Sequence, residues 1–262
     1  MTRAVVVGAA GRMGRHILRA VELAPALELG AALEGARHPD LGKEVAPGIA
    51  LTDDVSAALE ASDVAIDFST PASTLLLVAE ATRHGVPLVI GTTGFDESGL
   101  DSIRCAAERV PIAMAANFSL GINILLDLVA EAARRLGDYE IDILEMHHDQ
   151  KTDAPSGTAL RLGRSVAEAR GLDFDAVALY HREGQTGPRD EKSIGMQTLR
   201  LGDSIGEHTV YLAGPGERLE LSHRALSRDN FAAGALRAAQ WILDQEPGLY
   251  SMRDVLGLSD GT

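Results

Sequence analysis

Three glycines, Gly8, Gly11 and Gly14, follow a strand-like run from Arg3 to Val7 and open a stretch with helical spacing, Met13 to Leu23, whose apolar residues include Ile17, Leu18 and Val21. A buried strand that ends in glycines and leads into a helix has few backbone solutions. The chain must turn tightly and then present the amides of a helix N-terminus. That geometry suits a pyrophosphate, whose charge sits well against the helix dipole. The spacing here is GxxGxxG instead of GxGxxG. Leu27 to Leu33 reads as a second strand, and Glu34 at its end is placed to hydrogen-bond a ribose 2′-hydroxyl. The competing explanation is a purely structural turn. Strand, helix and acidic residue together are the context that dinucleotide binding demands, and Gly8, Ala9, Ala10, Gly11, Arg12, Met13 and Glu34 are the candidate contacts.

The alternation continues. Asp63 to Phe68 predicts a strand, Ala72 to His84 a helix, Pro87 to Ile90 a strand, Glu97 to Glu108 a helix and Pro111 to Ala115 a strand. Strands separated by helices of this length imply βαβ units in a parallel sheet. Ligands of such sheets sit at the carboxyl ends of the strands. Gly91-Thr92-Thr93-Gly94 and Ala115-Ala116-Asn117-Phe118 are therefore candidates to line the nicotinamide end, although each alone could be a tight turn. From Ser119 the pattern changes. Leu120 to Leu136 predicts a long helix, Glu140 to Met146 a strand and Thr158 to Arg170 a helix. Short β-like segments follow at Val177–Tyr180, Met196–Leu201, His208–Leu212 and Glu217–Ser222. The expectation is an α/β chain: a Rossmann-like dinucleotide-binding domain over 1–118, and over 119–228 a second α/β domain with a mixed or antiparallel sheet. A last amphipathic helix, Asn230 to Gln245, is expected to pack back on the first domain, which 229–262 would complete.

Composition removes other classes. The 262 residues carry 24 Lys plus Arg against 38 Asp plus Glu, a net charge of −14, which disfavours nucleic-acid binding. No run of 18 uncharged apolar residues is present, and the apolar start is too short for a signal peptide, so a cytoplasmic protein that neither spans nor binds membrane is expected. The single cysteine, Cys105, can form no intrachain disulfide, and beside Ala106 and Ala107 it reads as a small buried apolar residue. Neither a GxSxG elbow nor a GxxxxGK[ST] loop occurs.

The densest chemistry lies in Glu145-Met-His-His-Asp-Gln-Lys-Thr-Asp-Ala-Pro-Ser-Gly-Thr158. His147 can transfer a proton near neutral pH. Lys151 offers a compact cation to a carboxylate or a leaving oxygen. Ser156 reads as an N-cap that turns the amides of Gly157 and Thr158 toward an anion. The adjacent histidines match no zinc spacing, so no metal is expected. A solvated polar loop is the plain alternative, and the Pro-Ser-Gly-Thr that follows counts against it. Another NAD(P)-dependent reductase, such as an amino-acid dehydrogenase, or an NAD(P)-sensing regulator without turnover, would lack this segment.

Gly8-Ala-Ala-Gly-Arg-Met-Gly14, Asp67-Phe-Ser-Thr-Pro71, Gly91-Thr-Thr-Gly94, Ala116-Asn-Phe-Ser-Leu-Gly-Ile-Asn123, Glu145 to Lys151, Asp153-Ala-Pro-Ser-Gly-Thr-Ala-Leu160, Arg182-Glu-Gly-Gln-Thr-Gly187 and Gly206-Glu-His208 together resemble the 4-hydroxy-tetrahydrodipicolinate (dihydrodipicolinate) reductase family, over residues 3 to 257. The resemblance implies NAD(P)H-dependent reduction of (2S,4S)-4-hydroxy-2,3,4,5-tetrahydrodipicolinate, through its dehydrated form, to (S)-2,3,4,5-tetrahydrodipicolinate on the diaminopimelate route to lysine. It implies His147 as proton donor or acceptor, and Lys151 as a proton donor that also meets the substrate. By the same resemblance His148, Gly157 and Thr158 bind the small dicarboxylate heterocycle beside Ser156. Gly8 to Met13, Glu34, Gly91 to Thr93 and Ala115 to Phe118 bind cofactor, and the second sheet assembles a homotetramer. One departure bears on the cofactor. Many relatives carry arginine directly after the acidic residue, whereas Gly35 stands here, so NADH is expected to be preferred or used comparably with NADPH.

Overall fold

The structure, a computed structural model, describes residues 1–258. The chain divides into two compact units. One comprises residues 1–120 with the described residues from Arg228 on, and the other residues 121–227. Among the described residues no helix is long and apolar enough to cross a membrane.

The first unit is built from β1 (Thr2–Val7), α1 (Arg12–Leu23), β2 (Leu27–Leu33), β3 (Glu44–Ala46), β4 (Ile49–Thr52), α2 (Val55–Glu60), β5 (Val64–Asp67), α3 (Pro71–His84), β6 (Leu88–Ile90), α4 (Glu97–Ala107) and β7 (Pro111–Met114). Its eight strands run in the order β13-β7-β6-β5-β1-β2-β4-β3, where β13 (Gly248–Tyr250) comes from the end of the chain. All neighbours are parallel except β3 and β4. Both faces of β1 are buried, which is why its sequence shows no polar alternation. Ala4 and Val6 face Ile17 and Val21 of α1 and the late helix Asp229–Trp241, while Val5 and Val7 face α2, α3 and α4. The chain leaves β1 toward β2 on one side and later enters β5 on the other, so the switch in strand order falls between β1 and β5.

The second unit contains α5 (Leu120–Arg135), β8 (Glu140–His147), α6 (Gly157–Ala169), α7 (Phe174–Val177), β9 (Ala178–Leu179), β10 (Ile194–Arg200), β11 (Glu207–Gly214) and β12 (Glu217–Arg224). The strand order is β12-β11-β8-β10-β9. β10 is parallel to β8 and β9, and β11 is antiparallel to β8 and β12, so the sheet is mixed. Ile141, Ile143, Ile194, Met196, Val210 and Leu212 bury one face against α5 and α6. α8 (Asp229–Trp241) then runs into a 3₁₀ turn, Ile242–Asp244, and α9 (Met252–Val255) ends the described elements.

The structure corrects two expectations and adds elements. Cys105 is exposed, not buried. α4 buries Gly99, Ile103, Ala106 and Ala107, and Cys105 turns to the other side of that helix. Val177 belongs to a helical turn, not a strand, because the Asp173 side chain caps it by accepting from the Asp175 amide, at 3.1 Å. β3, β4 and β13 are only three or four residues long, too short to announce themselves by periodicity.

Candidate active site

The carboxyl ends of β1, β2, β5, β6 and β7 lie along one edge of the parallel sheet. At Gly8 the backbone takes φ +72°, and a Cβ there would meet the carbonyl oxygen of Phe68 at 2.7 Å. A Cβ at Gly14 would fall 2.1 Å from the carbonyl oxygen of Gly8. The loop is thus drawn tightly across the switch point. Gly8 and Ala9 donate to the Leu33 carbonyl at 3.0 and 3.1 Å, and the Ala10 amide donates to Glu34 Oε1 at 2.8 Å. Glu34 is therefore fixed to the glycine loop. Several helices here have a side-chain cap, among them Asp54 on α2, Thr70 on α3, Asp96 on α4 and Ser156 on α6. α1 begins at Gly11 with none, and no acidic residue lies in its first turn. Its leading amides stand open to an anion, as a dinucleotide cradle requires. A cleft of ≈ 520 Å³ runs over Gly8, Gly11, Glu34, Gly35, Phe68 and Ser69. Arg12 is exposed and Met13 half-buried.

The predicted contacts differ in what they can offer. Ala9 and Phe118 are buried and can act only through their backbones. The Phe118 ring packs against that of Phe68, centroids 5.5 Å apart. The Thr92 hydroxyl accepts from the Ser69 amide at 3.0 Å and donates to Asp67 at 3.2 Å, so it serves the scaffold. Thr93 and Ala116 are exposed, while Gly91, Ala115 and Asn117 are half-buried. Asp67 opens the Asp67–Pro71 motif but is not among the predicted contacts. It is fully buried and also receives the hydroxyls of Ser69 and Thr74. Burial pushes its carboxyl pKa up, against those hydrogen bonds. It ties the loop after β5 to the loop after β6.

In the second unit β8 delivers His147 and its following loop delivers Lys151. Along β8 the period of two puts Ile141, Ile143, Glu145 and His147 on the buried face. Glu145 is 0% exposed and His147 is 9% exposed. His147 Nδ1 lies 2.5 Å from Glu145 Oε2. Arg200 on β10 reaches the same carboxylate with one nitrogen on each oxygen, both at 3.0 Å. The Ser156 amide donates to it at 3.0 Å and the Thr198 hydroxyl at 3.3 Å. Burial alone would raise the Glu145 pKa, but the hydrogen bonds from His147 and Arg200 outweigh it and hold the group at about 2. Ser156 caps α6, its Oγ accepting from the Ala159 amide at 3.2 Å while lying 3.1 Å from His208 Nε2. Burial, then the charge of His147, lower the His208 pKa to about 3, so this second imidazole stays neutral. Lys151 Nζ donates to both oxygens of Asp153, at 2.8 and 2.9 Å, and that bond holds the Asp153 pKa down. His148 is half-buried and its amide donates to the Ser204 carbonyl at 2.7 Å. Gly157 is exposed at the start of α6, and Thr158 follows it half-buried.

A parallel sheet with an uncapped glycine crevice, joined in one chain to a histidine braced by a buried carboxylate, is the build of a dinucleotide-dependent oxidoreductase. Residues 2–118 match the dihydrodipicolinate reductase N-terminus family and residues 121–256 the C-terminus family. A protein of Thiobacillus denitrificans named 4-hydroxy-tetrahydrodipicolinate reductase is 49% identical, covering 98% of each chain. One of the same name from Alkalilimnicola ehrlichii is 50% identical, over 98% of this chain and 99% of that one. A solved structure, the dipicolinate-bound dihydrodipicolinate reductase from Paenisporosarcina sp. TG-14, superposes with a TM-score of 0.80 at 25% identity, over 96% of this chain and 97% of that one. An amine dehydrogenase from Mycobacterium smegmatis, at 14% identity and a TM-score of 0.57, shares the fold alone. The chain belongs to the dihydrodipicolinate reductase family and is an oxidoreductase of lysine and diaminopimelate biosynthesis.

Proposed function

We propose that the chain reduces the dehydrated form of (2S,4S)-4-hydroxy-2,3,4,5-tetrahydrodipicolinate to (S)-2,3,4,5-tetrahydrodipicolinate in the cytoplasm, with His147 and Lys151 as its catalytic residues. The observation that carries this reading is the anchoring of His147 by Glu145 on the strand that leads into Lys151 and the start of α6. Reduction of the ring needs a hydride and a proton. When bound, a reduced nicotinamide supplies the hydride. The protein supplies the rest. His147 exchanges the proton. Lys151 gives its ammonium to a substrate carboxylate or ring atom in place of Asp153. His148, Ser156, Gly157 and Thr158 receive the other carboxylate at the start of α6. Gly8 to Met13, Glu34, Gly91 to Thr93 and Ala115 to Phe118 hold the dinucleotide. A coupled assay that follows loss of NADH absorbance on addition of freshly made heterocycle tests this reading, and an absence of turnover would overturn it.

Glu34 favours NADH. Its carboxylate accepts from the Ala10 amide and lies where a ribose diol would be read, so a 2′-phosphate would meet a like charge. Gly35 offers no cation. Arg12 and Arg37 are both exposed and are the candidates to offset the repulsion. The expected outcome at fixed ionic strength is a kcat/KM for NADH that equals or exceeds that for NADPH. An NADPH preference above about tenfold, roughly 1.4 kcal/mol, would mean that Arg12 or Arg37 overrides Glu34, and Arg12→Ala and Arg37→Ala would show which.

The second sheet supports a homotetramer. Its face away from α5 and α6 carries Leu144, Met146, Leu199, Thr209, Tyr211 and Ser222, and Leu199 is 41% exposed. β12 is an edge strand of eight residues, a length that soluble monomers usually shield. Closed symmetry would cover both. Sedimentation is expected to show a species about four times 27.7 kDa, and a monomer at micromolar concentration would contradict the proposal.

A further inference from the structure

The carboxylate of Glu145 is ringed by donors: Nδ1 of His147, both terminal nitrogens of Arg200, the Ser156 amide and the Thr198 hydroxyl. A carboxylate held in this way is ionised and can only accept. Nδ1 of His147 must then carry a hydrogen, which leaves Nε2 as the ring nitrogen whose protonation can change. The backbone beside Nε2 is Gly206, where a Cβ would sit 3.0 Å from that nitrogen. Any larger residue would crowd the reacting atom. His208, whose ring meets that of His147 edge-on with centroids 5.3 Å apart, cannot take over the task. Its Nε2 lies 3.1 Å from the Ser156 hydroxyl, and burial holds its pKa down at about 3.

We infer that Glu145, backed by Arg200, is a positioning residue that fixes the Nδ1–H tautomer of His147, so that Nε2 alone exchanges the proton, and that Gly206 keeps this nitrogen uncovered. The inference rests on the assignment of His147 to proton transfer made above. The carboxylate does two things for the ring. It fixes the orientation, and by accepting from Nδ1 it selects the tautomer. Further titratable and charged groups around the His147–His208 ring pair and the Glu145 carboxylate are Arg200 on β10, His223 on β12, and Lys151 with Asp153 on the loop after β8. One amino group of Arg200 also donates to the Asp153 carbonyl at 2.5 Å, which ties the guanidinium to the loop after β8. A mere strut between β8, β10 and α6 would need the same contacts but would not set the protonation of His147.

The test uses the full-length enzyme with NADH and the heterocycle, comparing the wild type with Glu145→Gln. Glutamine keeps the shape and loses the charge. The expected result is a fall in kcat of roughly 10–100-fold with an unchanged KM for NADH. A folded Glu145→Gln enzyme with wild-type kcat overturns the inference. Nitrogen-15 NMR of the wild type decides independently of whether that variant folds. A ring protonated at Nδ1 at alkaline pH supports the inference, and the Nε2–H tautomer overturns it. Gly206→Ala is expected to lower kcat with the NADH KM unchanged, and a wild-type kcat would remove Gly206 from it. If His147→Gln itself turns over normally, the assignment of His147 has failed and not only the role of Glu145.

Discussion

Replacement of His147 by glutamine is expected to lower kcat by roughly 10²–10⁴-fold, the usual contribution of a positioned general acid or base. Several features make the loss chemical and not structural. Glutamine can still donate from its carboxamide to Glu145, so the buried carboxylate keeps a partner in place of Nδ1. The Arg200 and Ser156 contacts to Glu145 do not involve the ring at all. The glycine loop and Glu34 belong to the other compact unit, so NADH binding should be retained. What glutamine cannot do is gain and release a proton near neutral pH. A kcat unchanged within twofold would remove His147 from the mechanism. Lys151→Ala should behave differently. Its ammonium is assigned both to substrate and to chemistry, so kcat should fall and the substrate KM rise together. Asp153, with its side chain 61% exposed, would lose its partner to solvent at little cost to the fold.

The parts of this molecule legible in the sequence are those whose physics is local. The glycine loop, the N-cap at Ser156 and the alternation of strands and helices in the first unit all follow from neighbours a few residues apart. Glu145 was harder, because its partners Ser156, Thr198 and Arg200 lie 11, 53 and 55 residues away. One signal was nonetheless present. Ile141, Ile143, Glu145 and His147 share a face of one strand, and a carboxylate following two isoleucines on a buried face must have partners. Cys105 shows the converse error. Its neighbours Ala106 and Ala107 suggested burial, but contiguity in sequence is not a shared face on a helix, where Ile103 and Ala107 lie together and Cys105 does not. Phe118 stands in a loop that the family resemblance assigns to the cofactor, and its side chain belongs to the core. Nothing in the order of residues distinguishes a loop that contacts a ligand through its backbone from one that does so through its side chains.

Gly234→Ala is expected to destabilise the first unit by about 3 kcal/mol or more, although helix propensity alone predicts the opposite. In an exposed helix interior, alanine is favoured over glycine by roughly 1 kcal/mol. Gly234 lies within α8 and is buried. A Cβ there would stand 1.8 Å from the carbonyl oxygen of Phe118 and 2.9 Å from its carbonyl carbon. Neither atom is the end of a flexible side chain. To give way, the backbone at Phe118 would have to move, and the Phe118 ring is 2% exposed and packed on Phe68. The alternative is for α8 to lift. That would loosen Ala232, Ala235, Leu236 and Ala239, which share a core with Ile17 and Val21 of α1. Overpacking of a well-filled core typically costs ~1–3 kcal/mol, and a clash with main chain stands at or beyond the upper end of that range. For a unit of this size each kcal/mol lowers Tm by roughly 2–4 °C, so a fall of about 6–12 °C is expected. Because the loop that ends at Phe118 starts at Ala115, the KM for NADH should rise as well. Calorimetry that finds the variant as stable as the wild type, or more stable, would show that α8 does not approach the Phe118 carbonyl this closely.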